Sequence, residues 1–167
     1  VAGKNLIEFD YNGNLNNIKL YQDRVDDGSA DTVAAGNHIM RVNVAGDSNT
    51  VNSRQRNNNG PDGHFININI TGNSNNISTL QINDVSKTGF VNVNGSSNTV
   101  DLYQQGNAGY FADIKLQGNG HNVTLFQTGT GEHKSTIDLT NGGAAGTVNV
   151  TQQGTTAQPY SIQQTCV

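Results

Sequence analysis

This sequence predicts an all-β fold, a two-sided β-solenoid, on three observations. A ten-residue pattern, Gly-x-x-Asn-x-(Val/Ile)-x-x-x-Gln, recurs intact at Gly13–Gln22, Gly46–Gln55, Gly72–Gln81 and Gly95–Gln104. Apolar and polar residues alternate on both sides of each Gly-x-x-Asn, the period-two signature of strands. No i, i+3, i+4 stripe marks a helix, and the closing glutamines follow one another at steps of 33, 26, 23, 23 and 25 residues. Repeats of that length are stacked supersecondary units.

The units follow in order. Residues 1–5 form a short N-terminal segment. The first unit, 6–38, opens with a strand A carrying Ile7, Phe9 and Tyr11, turns at Gly13 and Asn16, and runs a strand B through Ile18 and Leu20 to Gln22. The second, 39–63, repeats this with Met40, Val42, Val44, Gly46, Asn49, Val51 and Gln55. The third, 64–88, has Ile66, Ile68, Ile70, Gly72, Asn75, Ile77 and Gln81. In the fourth, 89–109, the same places hold Val91, Val93, Gly95, Asn98, Val100 and Gln104. The fifth, 110–134, has Ile114, Leu116, Gly118, Val123 and Gln127, with His121 standing for Asn. The sixth, 135–158, is degenerate: Ile137 and Leu139 lead into a longer turn, 141–146, and then Val148, Val150 and Gln152. A terminal half-unit, 159–165, has only strand A, with Tyr160, Ile162 and Gln164.

Strands this short cannot bury a face alone. Stacking A on A and B on B, about 4.8 Å apart, buries every unit against its neighbours. Parity turns Val, Ile and Leu inward, and with them the turn Asn and the closing Gln. A buried amide is costly unless bonded. In register, each side-chain amide donates to the next copy's carbonyl, which predicts two ladders. One contains Asn16, Asn49, Asn75, Asn98 and His121; the other contains Gln22, Gln55, Gln81, Gln104, Gln127 and Gln152. The turn glycines Gly13, Gly46, Gly72, Gly95 and Gly118 supply positive φ or close approach.

Composition agrees. Of 167 residues, 26 are Asn and 12 are Gln, while hydrophobic residues make up 33% and charged ones 13%. Ordinary globular domains hold roughly 45–50% apolar and about 25% charged residues. No apolar run reaches the roughly 18 residues a spanning helix needs. The net charge of −4 and the lack of a basic patch give no footprint for nucleic acid. With Val at position 1, the chain reads as a processed one. Cys166 is the sole cysteine, so no internal disulfide forms.

At these residues the chain resembles the curlin family, the secreted amyloid subunits of bacterial curli, whose repeat is Ser-x5-Gln-x-Gly-x2-Asn-x-Ala-x3-Gln. The second half matches at the four intact copies, with Val or Ile for Ala, and at Gly118–Gln127 apart from His121. The family's first Gln is replaced by Tyr11, Val44, Ile70, Val93 and Leu116, so one amide column has become apolar; Gln164 keeps it. The resemblance spans roughly residues 6–165. It implies a divergent, major-subunit-like member that is secreted and extracellular and assembles into cell-surface fibres for biofilm matrix and adhesion. A nucleator subunit and outer-membrane secretion machinery are the further partners it implies.

The chemistry of sites points the same way. His38, His64, His121 and His133 form no zinc or metalloprotease spacing, and the only glutamates are Glu8 and Glu132. Asp101, Asp113 and Asp138 fall at outward parity. The reading is therefore a structural protein and not an enzyme, with no cofactor. The one weak metal candidate is a Ca²⁺ site on Asp23, Asp26, Asp27 and Asp31, oxygen donors without EF-hand spacing. Outward Tyr21, Tyr103 and Phe126 make an aromatic strip for fibre contacts or sugar. The expected function is head-to-tail self-assembly through uncapped solenoid ends. The edges concerned carry Ile7, Phe9, Tyr11, Ile18, Leu20 and Gln22 at one end and Val148, Val150, Gln152, Tyr160, Ile162 and Gln164 at the other. Six and a half units leave an odd strand, so a second copy fills every layer only when turned by about half a turn. The alternative is a monomeric solenoid that binds ice or glycans.

Overall fold

The computed structural model describes residues 5–23, 37–56, 63–140 and 146–163. Among them the chain is all strand and turn. The strands are β1 (Leu6–Asn12), β2 (Asn17–Asp23), β3 (Ile39–Ala45), β4 (Thr50–Arg56), β5 (Phe65–Thr71), β6 (Asn76–Ile82), β7 (Lys87–Asn94), β8 (Thr99–Gly106), β9 (Tyr110–Ala112), β10 (Asn122–Gly129), β11 (Lys134–Asp138), β12 (Thr147–Gly154) and β13 (Pro159–Gln163). Odd-numbered strands form one parallel sheet, ordered β1-β3-β5-β7-β9-β11-β13, and even-numbered strands the other, β12-β10-β8-β6-β4-β2. This is the two-sided β-solenoid, with six complete strand pairs and a terminal first strand.

Register is unbroken. Ile18, Val51, Ile77, Val100, Val123 and Val148 stand in one column of the even sheet, because each strand pairs with the next without a slip. Parallel strands covered on their inner face take β-branched residues well. Hence Val42, Ile68, Val91, Ile114 and Ile137 fill an inner column of the odd sheet, all but fully buried. Two layers hold hydroxyls instead, and Ser53 and Thr79 satisfy each other at 2.6 Å inside the core.

One element is shorter than the alternation predicts. The fifth unit's first strand is regular only over Tyr110–Ala112. Leu116 and Gln117 take positive φ, 86° and 55°, which bends the chain off the ladder. Ile114 and Leu116 are nevertheless fully buried, so the apolar column continues where the regular strand does not.

Candidate functional site: ladders and open ends

The closing glutamines form the predicted amide ladder. Gln22 Nε2 donates to Gln55 Oε1 at 2.9 Å, Gln55 to Gln81 at 2.9 Å, Gln81 to Gln104 at 2.8 Å, Gln104 to Gln127 at 2.8 Å and Gln127 to Gln152 at 2.7 Å. The other Nε2 proton crosses the interior to a carbonyl on the opposite sheet: Leu6, Ile39, Phe65, Thr88 and Phe111 in turn. Gln152 ends the column by donating to the carbonyls of Gln158 and Lys134. From Gln55 to Gln152 each amide thus uses both donors and its acceptor, the condition for burying it without loss; Gln22, at the end of the column, uses its two donors. The column also ties the two sheets together.

The turn asparagines bond differently from the expected amide-to-amide ladder. Asn16, Asn49, Asn75 and Asn98 each accept, through Oδ1, the backbone N–H of the next column member at 2.7–2.9 Å. Their Nδ2 groups donate to the carbonyls of Gly46, Gly72, Gly95 and Gly118. One amide-to-amide bond remains, from Asn75 Nδ2 to Asn49 Oδ1 at 3.0 Å. The reason lies in reach. At an arc the backbone groups of the next turn lack sheet partners, and a short Asn side chain meets them first. His121 keeps half of this role: its Nδ1 accepts the Gly146 N–H at 3.0 Å, while buried Nε2 finds no partner. An accepting Nδ1 requires the neutral ring, and burial holds this imidazole below its ordinary pKa.

Reading the histidines singly misses a third column. Asn5, His38, His64, His133 and Gln158 each immediately precede a strand of the odd sheet, and Lys87 and Tyr110 open theirs, at steps of 33, 26, 23, 23, 23 and 25 residues. That spacing is the signal in the sequence, masked because the residue type is not constant along the column. His38, His64, Lys87 and His133 have no solvent exposure, and Tyr110 has 2%. His38 Nδ1 accepts the His64 N–H at 2.9 Å, and His64 Nδ1 accepts the Lys87 N–H at 3.3 Å. His64 Nε2 lies 2.9 Å from the Arg56 carbonyl, which can only accept, so the ring is the neutral Nε2–H tautomer. Burial first, then the charges of Lys87 and His38, push the His64 pKa down to about 3. Lys87 Nζ donates to the carbonyls of Val85 and Gly106 at 2.7 and 2.9 Å and sits 5.2 Å from the Tyr110 ring centroid. Burial lowers its pKa to about 8, against an opposing pull from Asp84.

The ends differ from the middle. Met40, Val42 and Val44 of β3 are at most 3% exposed, whereas the same columns in β1, Ile7, Phe9 and Tyr11, are 41–50% exposed. Ile18, Leu20 and Gln22 of β2 are half-buried, and so is Ile162 of β13, while Tyr160 is exposed. Val148, Val150 and Gln152 are buried in the interior, yet their strand is the last of its sheet. Gln164, Cys166, Asp26, Asp27 and Asp31 lie outside the described residues; Asp23 closes β2. Among the described residues no group of three His, Cys, Asp or Glu is placed to hold a metal. On the outer faces Tyr103 stacks on Phe126 at 5.0 Å, and Tyr21 is separated from them by Arg54 and Leu80 in its column. Phe65, Phe90 and Phe111 form a second, diagonal strip on the odd sheet. Set against known proteins, the chain matches no family model, no curated protein and no solved structure.

Proposed function

We propose that this chain is a structural subunit that adds copies of itself end to end into a cross-β fibre. One observation carries the reading: among the described residues the terminal strand β1 has no strand on its outer edge, and it presents three large apolar side chains in columns that are dry in the middle of the stack. A strand edge with open N–H and C=O groups is a template for another strand. Ile7 and Phe9 are already half-covered, so covering the rest contributes about 1 kcal/mol each, and docking a layer is favoured before its hydrogen bonds are counted. The Gln column supports the same reading, since identical amides bonded layer to layer within the chain are the internal arrangement of cross-β stacks.

The curlin-like repeat supports an extracellular setting, in which such fibres belong to biofilm matrix and adhesion, with a nucleator and an outer-membrane secretion apparatus as partners. The deciding experiment is electron microscopy and fibre diffraction of the purified chain before and after incubation. Fibres with a 4.7–4.8 Å meridional reflection are expected. A chain that stays monomeric at high concentration for days overturns the reading.

A second reading has its own observation. The Phe65–Phe90–Phe111 strip lies beside Asn67, Asn69, Asn92, Asp113 and Lys115, which line a shallow groove. Apolar ring faces next to amides and charges are the chemistry that grips a sugar chain. Binding to an immobilised polysaccharide by a chain that never polymerises would favour it. Ice binding has less support: outward Thr50, Thr99 and Thr147 alternate with Asn76 and Asn122, so no Thr-x-Thr array forms.

A further inference from the structure

The two ends are built to join in one particular way. The odd sheet ends with β13, while the even sheet ends one strand earlier, at β12. At the other end β1 and β2 belong to the same first unit, with odd-sheet β1 leading. A copy added by translation alone would set its β1 on β13. Its β2 would then stand two layers above β12, and the outer edges of both would face an empty slot.

We infer that the incoming copy is turned by about half a turn, so that its β1 pairs with β12 and its β2 with β13; this rests on the fibre reading above. Arc geometry argues for it independently of the strand count. On the side where β1 passes to β2 the arcs turn at Gly13, Gly46, Gly72 and Gly95, with φ between 123° and 148°. On the opposite side the last three arcs also open on a positive-φ glycine, Gly106 (141°), Gly129 (109°) and Gly154 (146°), although they lack the second positive-φ residue found at Leu15, Ser48, Ser74 and Ser97. The even strands near this end thus close on the same glycine φ as an odd strand. An odd-type layer therefore fits over them. In each glycine column a Cβ would strike the next layer: at Gly13 it meets the Gly46 carbonyl oxygen at 2.0 Å, at Gly129 the Gly154 carbonyl oxygen at 2.2 Å. A Cβ at Gly154 meets none of the described residues within 4 Å. That glycine has the spacing of a junction whose next member belongs to another copy.

Aligning Gly13 of the incoming copy on Gly154 fixes the register. Ile7, Phe9 and Tyr11 then cover Val148, Val150 and Gln152. Asn16 comes over Gln158, and Ile18 and Leu20 over Tyr160 and Ile162. Inward residues meet inward residues in both strands: the glycine sits at the same parity in β1 and β12, and the arc from Gly154 to Gln158, one residue longer than that from Gly13 to Asn16, absorbs the difference before β13. The fibre that follows is polar, with a twist near 180° per copy and a rise of about 31 Å at 4.8 Å per layer.

Cysteine pairs in a Cys166→Ser background test this. The half-turn register puts Glu8 of one copy beside Asn149 of the next; translation puts it beside Ser161. A disulfide requires Cα atoms within roughly 7 Å, and neighbouring parallel strands satisfy this at about 4.8 Å. Within one copy Glu8 and Asn149 lie about six layers apart, beyond bridging, so a ladder of covalent oligomers reports only the junction. Glu8→Cys/Asn149→Cys fibres, oxidised, are expected to run as a ladder on a non-reducing gel, and Glu8→Cys/Ser161→Cys fibres as monomer. The reverse pattern, or fibres that link in neither pair, overturns the half-turn. Should the cysteine variants fail to assemble, the helical twist of unmodified fibres decides, with a small twist at this rise overturning it. If the parent chain forms no fibre at all, the assembly reading itself fails and the junction falls with it.

Discussion

Gln104 is the place to test whether the amide column holds the solenoid together. Its side chain has no exposure, accepts from Gln81 Nε2, and donates to Gln127 Oε1 at 2.8 Å and to the Thr88 carbonyl at 3.3 Å. Gln104→Leu keeps the volume but strands the Gln127 oxygen and one Gln81 proton; Gln81 retains its bond to Phe65. Each buried polar group left unsatisfied costs about 1–3 kcal/mol, so a loss of roughly 2–4 kcal/mol is expected at any pH. Gln104→Glu behaves otherwise. Protonated, the introduced carboxyl accepts from Gln81 and donates to Gln127, losing only the long bond to Thr88, about 1 kcal/mol or less. Ionised, it would face two carbonyl oxygens in a dry interior, so its pKa rises well above the ordinary value of about 4.3. A carboxyl with a raised folded pKa loses stability as pH climbs from the unfolded value toward the folded one. The slope is about 1.4 kcal/mol per pH unit, or about 3.7 kcal/mol between pH 4.3 and 7. The two variants should therefore change order. At pH 4 the Glu variant is the more stable; at pH 7 the Leu variant equals or exceeds it. Urea unfolding of freshly dissolved monomer, followed by circular dichroism at both pH values and referred each time to the parent chain, measures this, since the histidines titrate in all three proteins alike. A difference between the Glu variant and the parent that does not change from pH 4 to pH 7 would place Gln104 in solvent and refute the ladder.

Three further outcomes are expected. His64 has a folded pKa of about 3 against 6.5 unfolded, so below pH 6.5 the unfolded chain binds a proton that the fold refuses. Stability then falls as pH drops from 6.5 toward 3, by on the order of 1.4 kcal/mol per unit from this residue. His64→Gln, an amide in a column that ends in Asn5 and Gln158, should flatten that slope in urea unfolding at pH 7, 6, 5 and 4. At Gly72 the φ of 127° and a Cβ position 2.0 Å from the Gly95 carbonyl oxygen leave no room for a side chain, since backbone cannot swing aside. Gly72→Ala should cost several kcal/mol, enough to abolish the cooperative transition, against the modest 0.5–1 kcal/mol typical of glycine exchange in an ordinary strand or helix. Fibres, finally, should survive EDTA, because ladders and apolar columns need no ion; dissolution by the chelator would turn attention to a calcium site in the Asp23–Asp31 stretch.

The sequence by itself determined the period, the two strands of each unit, the inward parity and the glutamine column. All four follow from one regularity, a residue type recurring at a fixed place in an alternating run, and alternation fixes direction because neighbouring side chains in a strand point oppositely. Tertiary structure decided the rest. The turn asparagines bond to backbone because an arc leaves N–H and C=O groups without sheet partners within reach of a short side chain, and no periodicity reports that distance. The column of His38, His64, Lys87, Tyr110 and His133 mixes three residue types, so only strand register brings its members together. Leu116 and Gln117 left the ladder while Leu116 stayed in the core, because burial follows the column and hydrogen bonding follows the backbone. The C-terminal end, where Gly154 repeats the positive φ of Gly13 and no described residue lies above it, depends on a backbone angle that glycine permits without requiring.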